Sequence, residues 1–383
     1  MSNQNLVAIL QDEIARSGPI PFVRFMAQAL YHPEHGYYTA GDAQIGPSGD
    51  YYTSPSVHAL FGELIARQLL QMVAVLGPVD NPVAPDPITL VEMGAGRGTL
   101  CRDILRSVRQ ASPAAFSRLQ YVIVEKSPRL MQRQQAALSD WPVRWADRIP
   151  RGITGVVLSN ELIDAFPVHR LRVDAGRLQE MWVDWREDGF QPVWMAPSSP
   201  QLLPHLQQLG VSLDRPMEME VNLQALDWMR EVAAALTQGF VLTIDYGHPA
   251  AVLYDGRRPR GTFLCYDHHT VNEAPFERIG MQDMTAHVDF TSLAQAGQAT
   301  GLSLLGFTDQ THFLMGLGIA QRMEEAAAEM ETSTEARRTF LAMRHLMAPD
   351  GMGSVFKVLI QGKGVQSDLP LDGLKFRPFF DLL

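Results

Sequence analysis

The sequence predicts an α/β protein with a Rossmann-like core, built on an open, mostly parallel sheet. Three observations predict it. The apolar run at residues 88–91 (ITLV) leads into Glu92 and three evenly spaced glycines, and residues 99–109 follow with helical periodicity. Four more apolar runs, 119–124, 143–146, 155–159 and 240–244, each end in a polar or acidic residue and are separated by helical or turn segments. A chain of 383 residues with 46% apolar content is long enough to bury a large core.

In order along the chain, residues 6–16 form a helical pattern ended by Ser17, Gly18 and Pro19. A second, 22–31, stops near Pro33. The segment GDYYTSP at 49–55 leads into a helix that Ser54 is expected to cap, carrying Val57, Leu60, Phe61, Leu64 and Ile65 on one face. These form an N-terminal region, 1–87. The core is expected at 88–167 and 239–362, with Pro128 opening its second helix. Between these two core segments, 168–238 reads as an insertion, because 171–194 alternates polar and apolar residues as a hairpin does. Such an insertion suits a substrate cover. Toward the C-terminus come a helix at 290–300, a strand at 302–308, two helical stretches between 320 and 347 that separate near Ser333, and a strand at 356–360. Fraying is expected from Gly362 on.

The glycine spacing decides which nucleotide the first turn accepts. A dinucleotide fingerprint is G-x-G-x-x-G with the pyrophosphate on the helix N-terminus, whereas Gly94, Gly96 and Gly98 are spaced evenly and an acid precedes them. A carboxylate there repels a pyrophosphate and suits the ammonium and sulfonium charges of S-adenosylmethionine, whose amino-acid tail can lie along Gly94, Ala95, Gly96 and Gly98. An NAD-dependent oxidoreductase is disfavoured on the same ground. Glu125, with Lys126 beside it, ends the next strand, where a carboxylate can accept from both ribose hydroxyls. Asp147 ends the third strand near the expected adenine amino group, although an Asp before Pro150 also serves as a turn former. Asn160, Glu161 and Asp164 follow the fourth strand, at the carboxyl ends where open sheets bind ligands. Asn160 can position donor or nucleophile, and the two acids can clamp a guanidinium. The plainer account is that Asp164 caps a helix and Glu161 is solvated.

Composition narrows the surroundings. Asp and Glu number 42 against 32 Lys and Arg, for a net charge of −10, which argues against nucleic acid as main partner. The two cysteines, Cys101 and Cys265, match no disulfide or zinc spacing. No apolar stretch is long enough for a membrane span, and the opening residues resemble neither a secretory signal nor a transit peptide. A cytoplasmic location is expected. His268, His269, His287 and Asp289 fit no familiar metal-ligand set, so no metal is expected, and Gln282 and Asp283 are expected to line or brace the substrate side.

The strings GDYYTSPSVHALFGELIARQL, VEMGAGRGTL, SNELIDAFPVHR and TIDYG, with the run from Gly261 to Gly297, resemble the MidA family of class I methyltransferases over about residues 31–357. That family includes a mitochondrial assembly factor for respiratory complex I that is a protein arginine methyltransferase, and bacterial members of unknown substrate. The resemblance implies a seven-stranded core, S-adenosylmethionine as donor, and a protein arginine as acceptor in a respiratory-chain or other assembly client; a homodimer is compatible with it. By position, Asp50, Thr53 and Ser54 match a motif that folds over the donor, Glu63 matches an F-G-E acid, and Asn160, Glu161 and Asp164 match N-E-x-x-D. His58 departs from the more hydrophobic or acidic residue usual there. The rival readings are a small-molecule N- or O-methyltransferase and a donor-binding assembly protein with little turnover.

Overall fold

The computed structural model describes residues 2–40, 54–77, 87–187, 189–267, 270–349, 351–376 and 383. Its contacts divide the chain into two units, one of Met1–Tyr51, Ile163–Trp228 and Gly247–Leu293, the other of Tyr52–Leu162, Met229–Tyr246 and Ala294–Leu383.

The second unit contains the parallel sheet. Among the described residues the sheet has eight strands, seven in the order Ser303–Asp309, Phe356–Lys363, Leu236–His248, Ile153–Asn160, Ile88–Met93, Leu119–Val124, Val143–Ala146, and the two-residue strand Val288–Asp289, which pairs in parallel with the end of Leu236–His248. All neighbouring pairs are parallel except those made by Phe356–Lys363, which runs antiparallel to both its partners. Val91 sits between Val122 and Val157 in register, so the middle of the sheet is apolar on both flanks. Strand order reverses between Ile88–Met93 and Ile153–Asn160, and an open sheet has its ligand crevice at the carboxyl ends of such a pair. The helix Thr99–Ala111 buries Leu100, Cys101, Ile104, Leu105 and Val108, one face of a 3.6-residue repeat, in a core with Leu64, Tyr121, Leu158 and Phe240. Pro128 starts the helix Pro128–Ala137, and Ser127 Oγ caps it by accepting from Leu130 N at 3.4 Å.

Two expectations about this unit are corrected. The helix expected after Ser54 is two pieces, Ser54–Val57 and Leu60–Leu76. Ser54 opens the shorter piece, and its hydroxyl donates to Gln310 Oε1 at 3.2 Å, a tertiary partner 256 residues away. The chain also does not fray at Gly362. The last strand runs to Lys363, Leu371 is buried, and Gly373 N donates to Gln68 Oε1 at 2.9 Å. The helix Gln310–Gly316, capped by Asp309 through His312 N, was not anticipated. Ser333 does separate a pair of helices, as the sequence implies, capping Thr334–Met347.

The first unit is an antiparallel assembly. Its sheet runs Ile20–Pro21, Arg177–Arg186, His169–Asp174, Met217–Val221, with Gly189–Met195 added to Arg177–Arg186. Helices Gln4–Ser17 and Phe22–Tyr31 bury Leu6, Leu10, Phe22, Phe25 and Met26 in a core where Phe22 meets Phe263 edge-on at 5.2 Å. A small sheet places Leu264–Asp267 between Thr270–Asn272 and Asp283–Thr285. The expected boundaries at 87, 167 and 239 therefore differ from the observed units: the N-terminal helices and residues 247–293 group with the insertion, because Ile20 pairs with Val183 and Phe263 packs on Phe22.

Candidate active site

The glycine turn is shaped by backbone and packing together. Gly94 and Gly98 both have left-handed φ, 74° and 78°, and a Cβ on either would press on a leucine, Leu162 Cδ1 at 2.8 Å for Gly94 and Leu138 Cδ1 at 2.9 Å for Gly98. Gly98 immediately precedes the helix Thr99–Ala111, so the turn ends where free helix N–H groups begin. Ala95 is buried.

Glu92 does not extend from the strand end into solvent. It is 2% exposed, and Tyr121 Oη donates to its Oε2 at 2.7 Å. Burial raises its pKa from an ordinary 4.5 to about 7, while the Tyr121 hydrogen bond draws it some of the way back. Its proton is held more tightly than that of an ordinary carboxyl, which weakens the purely electrostatic argument for its position.

Glu125 is buried at the end of Leu119–Val124. Its Oε1 accepts from Ser127 N at 2.8 Å and its Oε2 from Gln134 Nε2 at 3.0 Å. Burial lifts its pKa above the usual carboxylate value, against the hydrogen bonds from Ser127 and Gln134. Gln134 Nε2 also donates to Gly96 O at 2.9 Å, and Trp145 Nε1 donates to Gln134 Oε1 at 3.0 Å. One amide thus joins the glycine turn, the second strand end and the third strand. Lys126 is exposed, and Asp147, 74% exposed in its side chain, pairs with Arg148 at 3.6 Å.

At the end of the fourth strand the backbone takes an unusual form. Glu161 has φ 52°, a left-handed conformation that costs a non-glycine residue of order 1–3 kcal/mol. Its N–H donates to Ile244 O at 3.0 Å, and Leu162 N donates to the buried Asp245 Oδ2 at 3.2 Å, so the fifth strand holds the turn. Glu161 Oε1 accepts from Ser54 N at 2.9 Å and from Asn160 Nδ2 at 3.0 Å. Asn160 is 9% exposed, and its Oδ1 has no hydrogen-bond partner among the described residues. Asp164 falls in the first unit, where it is buried and its carbonyl accepts from Ala286 N at 3.0 Å.

Asp50, Thr53, His268 and His269 lie outside the described residues. Glu63 forms ion pairs with Arg67 and Arg322. Gln282 braces a loop by donating to Ala274 O and Glu277 O, and Asp283 accepts from Tyr38 Oη at 2.7 Å. Asp289 accepts from Ser292 N, and burial raises its pKa to about 6. The His287 ring lies 5.3 Å from that of His248. Among the described residues no group of three or more His, Cys, Asp or Glu could hold a metal ion, and no helix is long and apolar enough to cross a membrane. The sequence reading missed Gln134, Tyr121 and Asp245. Gln134 could have been found, because it sits four residues after buried Leu130 on the inward face of its helix, where an amide needs partners.

A mostly parallel sheet with one antiparallel strand, a glycine turn at its switch point and an acid ending the next strand define a Rossmann-like methyltransferase. Residues 64–308 match the model of a family described as S-adenosyl-L-methionine-dependent methyltransferase. The chain is 30% identical to the Drosophila melanogaster homolog of protein arginine methyltransferase NDUFAF7, mitochondrial, over 94% of this chain and 85% of that one. It is 29% identical to the human NDUFAF7, over 91% and 81%. A solved Burkholderia thailandensis COG1565 superfamily member bound to S-adenosyl-homocysteine superposes with a TM-score of 0.88 at 30% identity, covering 99% of this chain and 97% of that one. The chain belongs to this MidA-like family and is an S-adenosylmethionine-dependent methyltransferase.

The cytoplasmic expectation is corrected. These curated relatives are named as mitochondrial proteins. Free cysteines separate oxidising from reducing compartments and do not tell one reducing compartment from another.

Proposed function

We propose that the enzyme methylates an arginine guanidinium of a protein substrate. Support comes from the relatives, which are named protein arginine methyltransferases along most of this chain, and the observation that carries the reading is Glu161, whose carboxylate is oriented by Ser54 and Asn160 at the switch-point strand end. The residues present fit the donor. When bound, S-adenosylmethionine supplies an electrophilic methyl on a sulfonium. Glu125 would accept from the ribose hydroxyls, the backbone from Gly94 to Gly98 would border the amino-acid tail, and Asn160 Oδ1, a buried acceptor with no partner among the described residues, would receive its ammonium group. Glu92 then acts as a brace through Tyr121 rather than by contact. Lys126 and Asp147, both exposed, are left out of this site.

In the transfer the guanidinium nitrogen attacks the methyl carbon, the N–C bond forms as the S–C bond breaks, and the nitrogen sheds one proton. Glu161 orients the guanidinium and takes that proton. Asp164, which belongs to the other unit, is left out of this site.

Glu161→Gln keeps the volume and loses the charge, so S-adenosylhomocysteine affinity should survive while methyl transfer falls roughly a hundredfold, the scale of a lost general base. The acceptor is tested with peptides differing only by Arg or Lys, since lysine presents no planar fork to a carboxylate. Equal methylation of both, or of a metabolite and neither peptide, would end the arginine reading and leave the methyltransferase intact.

A further inference from the structure

We propose that Gln134 is a positioning residue of the donor site, and that it holds Glu125 in the one orientation in which its carboxylate can receive the ribose. The inference rests on the assignment of Glu125 to the ribose. Gln134 is fully buried, and three of its four hydrogen-bonding positions are used: Nε2 donates to Gly96 O at 2.9 Å and to Glu125 Oε2 at 3.0 Å, and Oε1 accepts from Trp145 Nε1 at 3.0 Å. The network also fixes which way the amide points. Turned over, its oxygen would face the Gly96 carbonyl and the Glu125 carboxylate, two acceptors, and its nitrogen would face the Trp145 N–H.

A carboxylate at the end of a strand can rotate. Here Ser127 N holds Oε1 and Gln134 holds Oε2, so Glu125 has no rotation left and each oxygen keeps lone pairs for a ligand. By gripping Gly96 O with the same nitrogen, Gln134 also sets the spacing between the glycine turn and Glu125. Those two features would meet the amino-acid tail and the ribose of the bound donor. Trp145 ties this spacing to the third strand. No residue of another type does the same: Glu would place a second carboxylate against Glu125, Met would donate to neither acceptor, and Asn is one methylene too short for all three bonds.

The test compares S-adenosylhomocysteine with its 2′-deoxy analogue by calorimetry. In the unsubstituted protein the analogue should bind at least about tenfold more weakly, the worth of one hydrogen bond to a charged group. Gln134→Met should weaken S-adenosylhomocysteine about tenfold and bring the ratio of the two ligands close to one, because a carboxylate that rotates freely no longer distinguishes them. A merely structural Gln134 would weaken both ligands alike and leave the ratio unchanged, which overturns the proposal. Trp145→Phe, which removes one donor from the far end of the amide, should lower the ratio by a smaller factor, and it keeps the test decisive if Gln134→Met does not fold. In a Glu125→Ala background, Gln134→Met should cost little further affinity; fully additive losses would count against positioning. If Glu125→Ala leaves the ratio intact, the ribose assignment fails and this proposal with it. A ratio lost in Glu125→Ala and kept in both other variants overturns the positioning role alone.

Discussion

At the scale of single residues, a buried carboxylate can matter through its proton or through its hydrogen bonds, and Glu92 and Glu125 divide along that line. Burial raises the pKa of Glu92 from 4.5 to about 7, so the native state holds a proton that the unfolded chain has released between those values. A raised acid contributes stability that is fully present below pH 4.5 and is lost as pH climbs through 7, about 3 kcal/mol in all. Glu92→Gln keeps an acceptor for Tyr121 and removes the titration, so thermal unfolding of the variant should fall less steeply between pH 5 and 8 than that of the parent. Asp289, raised to about 6, titrates in the same direction in both proteins, and the difference between the two curves isolates Glu92. Parallel curves would show that Glu92 stays ionised in the native state. For Glu125 the prediction is affinity: Glu125→Ala should weaken S-adenosylhomocysteine at least tenfold by calorimetry, since each lost hydrogen bond to a carboxylate is worth about 1.5–3 kcal/mol. Unchanged affinity would remove Glu125 from the ribose.

At the scale of elements, the turn between Ile88–Met93 and Thr99–Ala111 shows how backbone and packing add. Gly98 has φ 78° and faces Leu138, whereas Gly152 has φ 73° and open space on the side a Cβ would occupy. Substituting alanine at Gly152 should cost only the left-handed conformation, about 1 kcal/mol. At Gly98 the same change must also displace a buried leucine, and an added overpacking cost of about 1–3 kcal/mol is expected. Chemical denaturation should rank the two variants in that order; equal losses would mean that Leu138 yields without cost. The other left-handed turn, at Glu161, is held by Ile244 O and Asp245 at the end of the neighbouring strand. Asp245→Ala removes the acceptor for Leu162 N. It should therefore lower the rate of methyl transfer more than donor affinity, measured as a split between kcat and the Kd of S-adenosylhomocysteine.

At the scale of the whole molecule, Ser54, Glu92, the glycine turn, Glu125, Gln134, Asn160 and Glu161 all belong to the unit with the parallel sheet. Saturation with S-adenosylhomocysteine at a hundred times its Kd should stabilise what binds it by about 2.7 kcal/mol. Hydrogen exchange should then slow at residues 92–98, 125–134 and 160–162, with little change in the antiparallel strands His169–Asp174 and Arg177–Arg186. Protection spread evenly over both units would contradict a donor site built from these residues.

The sequence alone determined the five parallel strands from Ile88 to Ile244, the helix beginning at Pro128 and the two acids that end the first and second strands. Each is a local pattern: an apolar run, a proline at a helix start, a charge where a run stops. It also pointed to the chemistry, because even glycine spacing after an acid disfavours a pyrophosphate. Tertiary structure decided what those residues touch. Glu92 is buried and accepts a hydrogen bond from Tyr121, 29 residues away on the adjacent strand. Ser54 is tied to Gln310, and Asp372 and Gly373 are held by Gln71 and Gln68, partners about 300 residues distant in sequence. The unit boundaries went the same way, since one short pairing of Ile20 with Val183 draws the N-terminal helices onto the antiparallel sheet. Hydrogen bonds between distant residues leave no periodicity in a sequence, and one of them, from Ser54 N to Glu161 Oε1 across 107 residues, helps to orient a side chain proposed for the site.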